Sequence, residues 1–157
     1  MGNYPYFGAV MIDPDAIAPC NCSALRQAAR HITRLYDREL AAAGLGLNQY
    51  SILSRLARLG PCTIRALAEN LVMDRSTLGH LLRPLLKRGL LKLEASREDR
   101  RSRVIRLTSA GKSLLARARP LWAKAERIFE SNIGVSPARE LREVLSHVAA
   151  IDFGLAS

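Results

Sequence analysis

Residues 74–89 read Asp-Arg-Ser-Thr-Leu-Gly-His-Leu-Leu-Arg-Pro-Leu-Leu-Lys-Arg-Gly, and the fold turns on this stretch. Leu78, Leu81, Leu82, Leu85 and Leu86 recur at the i, i+3, i+4, i+7, i+8 spacing of one helical face, while Ser76, Gly79, His80, Arg83 and Lys87 fall on the other. Asp74 stands where an N-cap belongs, and Gly89 stands where a helix stops, just after the cations Lys87 and Arg88. The pattern predicts a helix with one dry side. Its outward side carries hydroxyls, an imidazole and long cations but no carboxylate, the inventory that bonds base edges and phosphate oxygens in a DNA major groove. Pro84 removes one ladder bond and costs about 3 kcal/mol against alanine in a helix interior, so a kink is expected between His80 and Pro84. Taken alone, the segment also fits an ordinary amphipathic surface helix.

The flanking residues decide. After Gly89 the pattern alternates, with Leu91, Leu93 and Ala95 to one side and Lys92 and Glu94 to the other. A second short branched run, 104–107, has Arg106 outward, and the tip between the two runs is rich in arginine. Such a hairpin cannot bury itself and is expected to lie beside the 74–89 helix as a wing. Upstream, Thr63 caps a short helix over 64–70, and a turn at 71–73 leads straight into Asp74. Helix, turn of three or four residues, helix is the helix-turn-helix arrangement, in which the first helix packs and the second reads.

Further out, helix 1 is expected over 23–43, with Leu25, Ala28, Ala29, Ile32, Leu35, Tyr36 and Leu40 on one face. Helix 2 runs over 48–59, with Tyr50, Leu53, Leu56 and Ala57 inward, and is closed by Gly60-Pro61. Thr108 or Ser109 caps a helix from 110 to about 131, bent by Pro120. Gly134 stops it, and Ser136-Pro137 act as cap and first residue of a last helix striped with Leu141, Val144, Leu145, Val148 and Ile151. Residues 1–21 have no period and hold Pro5, Pro14 and Pro19, the mark of an extended arm. The fold class is therefore mainly α with a small β-hairpin wing. Its domains are the arm (1–21), a winged helix-turn-helix (47–108), and a helical dimerisation region from both chain ends (22–46 and 109–157). A winged module cannot cover those long terminal stripes, so a twofold homodimer is expected.

Charge points the same way. The 157 residues hold 24 Lys+Arg against 14 Asp+Glu, a net charge of +10. The fifth of the chain from Arg75 to Arg106 holds +7 of it, and such concentration marks a nucleic-acid surface. No run approaches a membrane span and no signal peptide opens the chain, so a cytoplasmic location with no membrane partner is expected. Three cysteines, Cys20, Cys22 and Cys62, argue against a disulfide framework, and the one-residue gap in Cys20-Asn21-Cys22 is tight for structural zinc. No metal or cofactor is expected. Nor is an enzyme, since no nucleophile, base and orienter fall at recognisable spacing and there is no phosphate loop.

Four pieces in order, Met73-Asp74-Arg75-Ser76-Thr77-Leu78, Lys87-Arg88-Gly89-Leu90, Asp99-Arg100-Arg101 and Leu107-Thr108-Ser109-Ala110-Gly111, resemble the multiple-antibiotic-resistance-regulator (MarR) family of bacterial winged helix-turn-helix repressors. The resemblance runs from about residue 22 to residue 151. It implies that Arg101 enters the minor groove with Asp99 steering its guanidinium, and that Arg100 and Arg103 meet phosphates. It places Arg75, Ser76, Thr77, His80 and Arg83 in the major groove. For Ser76 and Thr77 helix-start chemistry competes with that role, and for His80 and Arg83 a solvated face does. A homodimer on a short inverted repeat of double-stranded DNA follows, with release by a small aromatic or carboxylate effector in a crevice lined by helices 1, 2 and 5, where Arg30, His31, Tyr36 and Trp122 stand. The alternative signal is oxidation. Cys22 matches the reactive cysteine of the hydroperoxide-sensing branch and Tyr36 a tyrosine that bonds its sulfur there, whereas Arg26 and Leu47 depart from the other two tyrosines. Arg26 and a helix N-terminus both favour a thiolate at Cys22, and Cys20 is a candidate resolving partner. The competing reading is a small buried apolar residue. A non-sequence-specific architectural DNA binder is the remaining alternative.

Overall fold

The structure is a computed structural model, described here for residues 20–95 and 103–154. Two compact units divide the chain, Met1–Ile32 and Thr33–Ser157, with the boundary inside the first helix. Six α-helices, a 3-10 turn and a three-stranded antiparallel sheet make up the described residues: α1 Asn21–Leu40, the 3-10 turn Ala41–Ala43, α2 Leu47–Leu59, β1 Cys62–Thr63, α3 Ile64–Leu71, α4 Arg75–Lys87, β2 Leu91–Ala95, β3 Arg103–Leu107, α5 Ser109–Ile133 and α6 Val135–Ala150. The arm expected over 1–21 falls almost wholly outside the described residues, and Asn21 already belongs to α1.

Among the described residues the first unit contributes Cys20 and the start of α1, where residues 21–31 are all exposed. In the second unit the helix ends are closed as their sequences require. Asp37 of α1 accepts the Leu47 amide at 2.7 Å, and the Gln49 side chain accepts the Gly46 amide at 3.2 Å, so the N-terminus of α2 is capped without a hydroxyl of its own. Thr63 Oγ1 accepts the Ala66 amide at 3.1 Å, capping α3. Val72 then takes a left-handed conformation (φ 52°), costly for a β-branched residue, to turn the chain from α3 into α4.

The core is built where α2, α3, α4 and the sheet meet, from Leu40, Ile52, Leu53, Leu67, Leu78, Leu82, Leu85 and Ile105, all essentially inaccessible to solvent. On α4, Leu78, Leu82 and Leu85 are buried and Leu81 and Leu86 half-buried, the face the spacing predicted. Strand order is β1-β3-β2, with Leu91 opposite Leu107 and Ala95 opposite Arg103 in the hairpin.

Several expectations need correction. Cys62–Thr63 forms a third strand against Ile105 and Val104, too short to show alternation in sequence. On α2 it is Ile52 that is buried, while Ala57 is exposed. Pro84 stands inside α4, which is continuous from Arg75 to Lys87, a continuity compatible with the bend expected there. Pro120 likewise lies within α5. α6 starts at Val135 with Gly134 (φ 93°) as its N-cap, so Ser136 is inside the helix and its hydroxyl pairs with Glu140 at 3.1 Å.

Candidate nucleic-acid interface

Asp74 sets the start of α4. Its Oδ1 accepts the Thr77 amide at 2.7 Å and its Oδ2 the Thr77 hydroxyl at 2.6 Å. Those two bonds, the hydroxyl's first, hold the Asp74 carboxyl below the ordinary carboxylate range, so the cap stays ionised beside the positive end of the helix dipole. The Thr77 hydroxyl proton is thereby engaged in helix-start chemistry. Ser76, His80 and Arg83 are exposed on the face opposite the buried leucines and Arg75 is exposed in the first turn, their side chains without a hydrogen-bond or ion-pair partner among the described residues. Lys87 continues that exposed face toward the C-terminus.

The hairpin stands beside this helix. Glu94 on β2 pairs with Lys92 and with Arg106 across the ladder (3.3 Å), and these cations hold its carboxyl below the ordinary range. Arg106 is thus tied within the sheet, whereas Arg103 is exposed at the outer end of β3. Asp99, Arg100 and Arg101 lie outside the described residues.

The exit from the wing explains the Leu107-Thr108-Ser109-Ala110-Gly111 motif physically. Thr108 Oγ1 donates to the Gly89 carbonyl at 2.7 Å, lies 3.1 Å from the Leu90 carbonyl oxygen, and accepts the Gly111 amide at 3.1 Å. One hydroxyl therefore caps α5 and fastens it to the end of α4. Arg88 adds a second tie, its Nη1 donating to the Gly44 carbonyl at 2.8 Å between α1 and α2.

The residues singled out as sensors belong to both units. Cys22, Arg26, Arg30 and His31 are exposed on the first unit's part of α1. Cys20 is also exposed, and Cys62 is half-buried on β1, where burial pushes its thiol pKa up. Tyr36 is buried in the second unit, and its phenol donates to Glu126 Oε1 on α5 at 2.7 Å. Burial first, then that bond, raise the phenol pKa well above the ordinary value. Arg142 of α6 reaches the same Glu126 at 3.4 Å and Glu130 at 3.3 Å. Trp122 stacks on Tyr50 of α2, ring centroids 5.9 Å apart and planes 13° off parallel. The two rings wall a groove of about 310 Å3 with Ser51, Ser54, Arg55 and Arg58. The sequence singles out Trp122 but not the other five residues of this groove, whose meeting depends on the packing of α2 against α5. Among the described residues no three His, Cys, Asp or Glu side chains are grouped to hold a metal ion, and no helix is long and apolar enough to cross a membrane.

A short helix, a tight turn and a second helix with a polar outward face, flanked by a hairpin, define the winged helix-turn-helix class of transcriptional regulators. The comparisons agree. The MarR family model matches residues 45–102. The organic hydroperoxide resistance transcriptional regulator of Bacillus subtilis (strain 168) is 31% identical over 97 residues, 62% of this chain and 66% of that regulator. The transcriptional regulator HosA of Escherichia coli O157:H7 is 30% identical over 105 residues, 67% of this chain and 76% of HosA. Among solved structures, the M. tuberculosis transcriptional regulator MosR in complex with DNA superimposes with a TM-score of 0.74 at 30% identity, covering 83% of this chain and 94% of that one. The chain belongs to the MarR family of winged-helix, DNA-binding transcriptional regulators. These relatives are regulators, not enzymes.

Proposed function

We propose that the chain is a repressor that binds a short inverted repeat as a homodimer and leaves it when a small aromatic acid binds. The observation that carries the reading is α4: the side chains of Ser76, His80 and Arg83 stand exposed and, among the described residues, unpaired on one face of a helix whose opposite face is anchored in the core, with Arg75 exposed at its first turn. A rigidly seated row of donors with no carboxylate suits base edges and phosphates. Arg103 at the wing, together with Asp99, Arg100 and Arg101 at its tip, supplies the minor-groove and phosphate contacts, Arg101 being the groove residue.

Dimerisation is supported by α6, whose stripe of Leu141, Val144, Leu145, Val148 and Ile151 is exposed in the single chain, Val144 to 60%. A contiguous apolar face of this kind marks an interaction surface, and the domain division proposed is the one read from sequence: a dimerisation region over 22–46 and 109–157 around a module over 47–108. For the effector, the Tyr50–Trp122 groove between α2 and α5 retains Trp122 of the crevice expected along helices 1, 2 and 5, while the Tyr36 phenol is already bonded to Glu126. Aromatic walls with Arg55 and Arg58 suit an aromatic ring bearing a carboxylate.

The test compares affinity for DNA upstream of the protein's own gene with that for a scrambled duplex at physiological salt. A gap of about 10³ or more is expected of a sequence-specific regulator; near-equal affinities would favour an architectural binder instead.

A second reading, a thiol-based oxidant sensor, is favoured by the exposure of Cys22 at the start of α1 and by the similarity to the Bacillus subtilis regulator. Gel shifts with and without cumene hydroperoxide separate the two: the oxidant reading requires loss of binding that Cys22→Ser abolishes, and retained binding by the oxidised native protein ends it.

A further inference from the structure

Val72 stands where a glycine is expected. It follows the last residue of α3, its amide donates to the Glu69 carbonyl at 3.2 Å, and the next amide, that of Met73, donates to the Ala68 carbonyl at 2.9 Å. Those two bonds make the Schellman closure of a helix, whose left-handed residue is usually glycine because a Cβ is costly there. At the other five positive-φ positions among the described residues the chain does place glycine: Gly44, Gly60, Gly89, Gly134 and Gly154. A β-branched side chain is the kind least suited to a φ of 52°. Nor does burial offset that strain, since Val72 is 75% exposed, more than any other large apolar side chain among the described residues. An isopropyl group that strains the backbone and stands in solvent gives the fold nothing that glycine would not, so its use lies outside the folded chain.

Its place says what it would meet. Val72 precedes the Asp74 cap by two residues and shares a groove of about 750 Å3 with Asp74 and Arg75 at the start of α4 and with Arg65, Ala68 and Glu69 of α3. Both carboxylates of that groove are engaged, Glu69 by Arg65 Nε at 2.7 Å and Asp74 by Thr77. The isopropyl group thus stands beside Arg75, the first exposed cation of α4. In a DNA major groove the apolar group that a base pair offers is the C5-methyl of thymine. We propose that Val72 is a specificity-determining residue that packs on a thymine methyl at the edge of the half-site read by α4. This rests on the reading of α4 as the helix in the major groove. Glycine at position 72 would ease the backbone and lose the contact, so stability and sequence preference move in opposite directions.

The test replaces thymine by uracil, which removes that methyl alone, one position at a time in the footprinted DNA upstream of the protein's own gene. Fluorescence anisotropy then gives the affinity of the native chain, Val72→Gly and Val72→Ile for each duplex. At one thymine of the half-site the native chain is expected to bind the uracil duplex about fourfold more weakly, the worth of one buried methyl group. Val72→Gly is expected to bind the unmodified duplex more weakly and to be indifferent to that uracil, whereas Val72→Ile keeps the response. Urea unfolding of Val72→Gly is expected to give a midpoint at or above that of the native chain, which separates weaker binding from a folding defect. A lower midpoint would mean that the side chain serves the fold, and would overturn the proposal. So would a uracil series that fails to distinguish the native chain from Val72→Gly, the result expected if the isopropyl group meets a protein instead. Preference for the footprinted duplex over a scrambled one with no uracil effect strikes Val72 alone; absence of that preference strikes the reading of α4 and the proposal with it.

Discussion

A Cβ added at Gly111 would run into the Leu90 carbonyl oxygen and lie 2.9 Å from a Leu107 methyl, because the first turn of α5 packs directly on the turn between α4 and β2. Gly111→Ala must therefore displace backbone rather than a flexible side chain. A loss of about 3 kcal/mol or more is expected in urea unfolding, and a change within about 0.5 kcal/mol would mean that α5 is not seated this closely. The glycine's presence in the motif was legible in the sequence; its reason, an approach across 21 residues of chain, was not. Tyr36 gives a prediction of a different kind. Its folded-state pKa lies above the unfolded one, so the native state keeps a proton that the unfolded chain sheds: stability is full below pH 10 and falls as pH climbs above it toward the folded value. Tyr36→Phe is expected to cost about 1 kcal/mol near neutrality, the usual worth of one hydrogen bond. It should also flatten, without abolishing, the decline above pH 10, since burial raises the Tyr50 phenol as well. Denaturant midpoints between pH 8 and pH 11 check both; an unaltered alkaline slope in the variant would place the titrating group elsewhere.

At the scale of elements, α4 carries both the fold and the proposed contacts, and its two faces differ in what substitution does. Leu85 is fully buried, and Leu85→Ala is expected to cost about 2 to 5 kcal/mol through lost burial and a cavity. Pro84→Ala restores a donor toward His80 in a helix that is already continuous, and is expected to stabilise by about 1 to 3 kcal/mol; thermal melts that show destabilisation would mean the proline shapes the helix. The leucine period of α4, the alternation of β2 and the caps at Thr63, Asp74 and Thr108 were readable because each is a local pattern. What escaped was non-local or ambiguous. Cys62–Thr63 becomes a strand only because β3 has a free edge, and Ser136-Pro137 imitates a helix start within the first turn of a helix that Gly134 has already begun. The candidate site divides the same way: the exposed row of Ser76, His80 and Arg83 follows from the helical period, whereas the engagement of Thr77 by Asp74 and the Tyr50–Trp122 stack needed coordinates.

At the scale of the molecule, net charge and the uncovered α6 stripe set the expected behaviour. If a dimer neutralises about 6 to 10 phosphates, its affinity should fall by about 10³ to 10⁵ between 50 and 200 mM salt; a shallow salt slope would mean that the cations gathered between Arg75 and Arg106 do not face DNA. Val144→Asp with Val148→Asp puts charge into the α6 stripe and is expected to give a monomer by sedimentation, with DNA affinity reduced to the non-specific level. The most direct measurement bears on geometry. Two reading helices fixed by a twofold should lie about 34 Å apart, one turn of B-DNA. Once the operator is footprinted, about five base pairs are inserted between its half-sites, turning one half to the far side of the duplex, and binding is measured by fluorescence anisotropy at physiological salt. The account requires affinity to drop to that of scrambled DNA; undiminished binding to the spaced operator would contradict it.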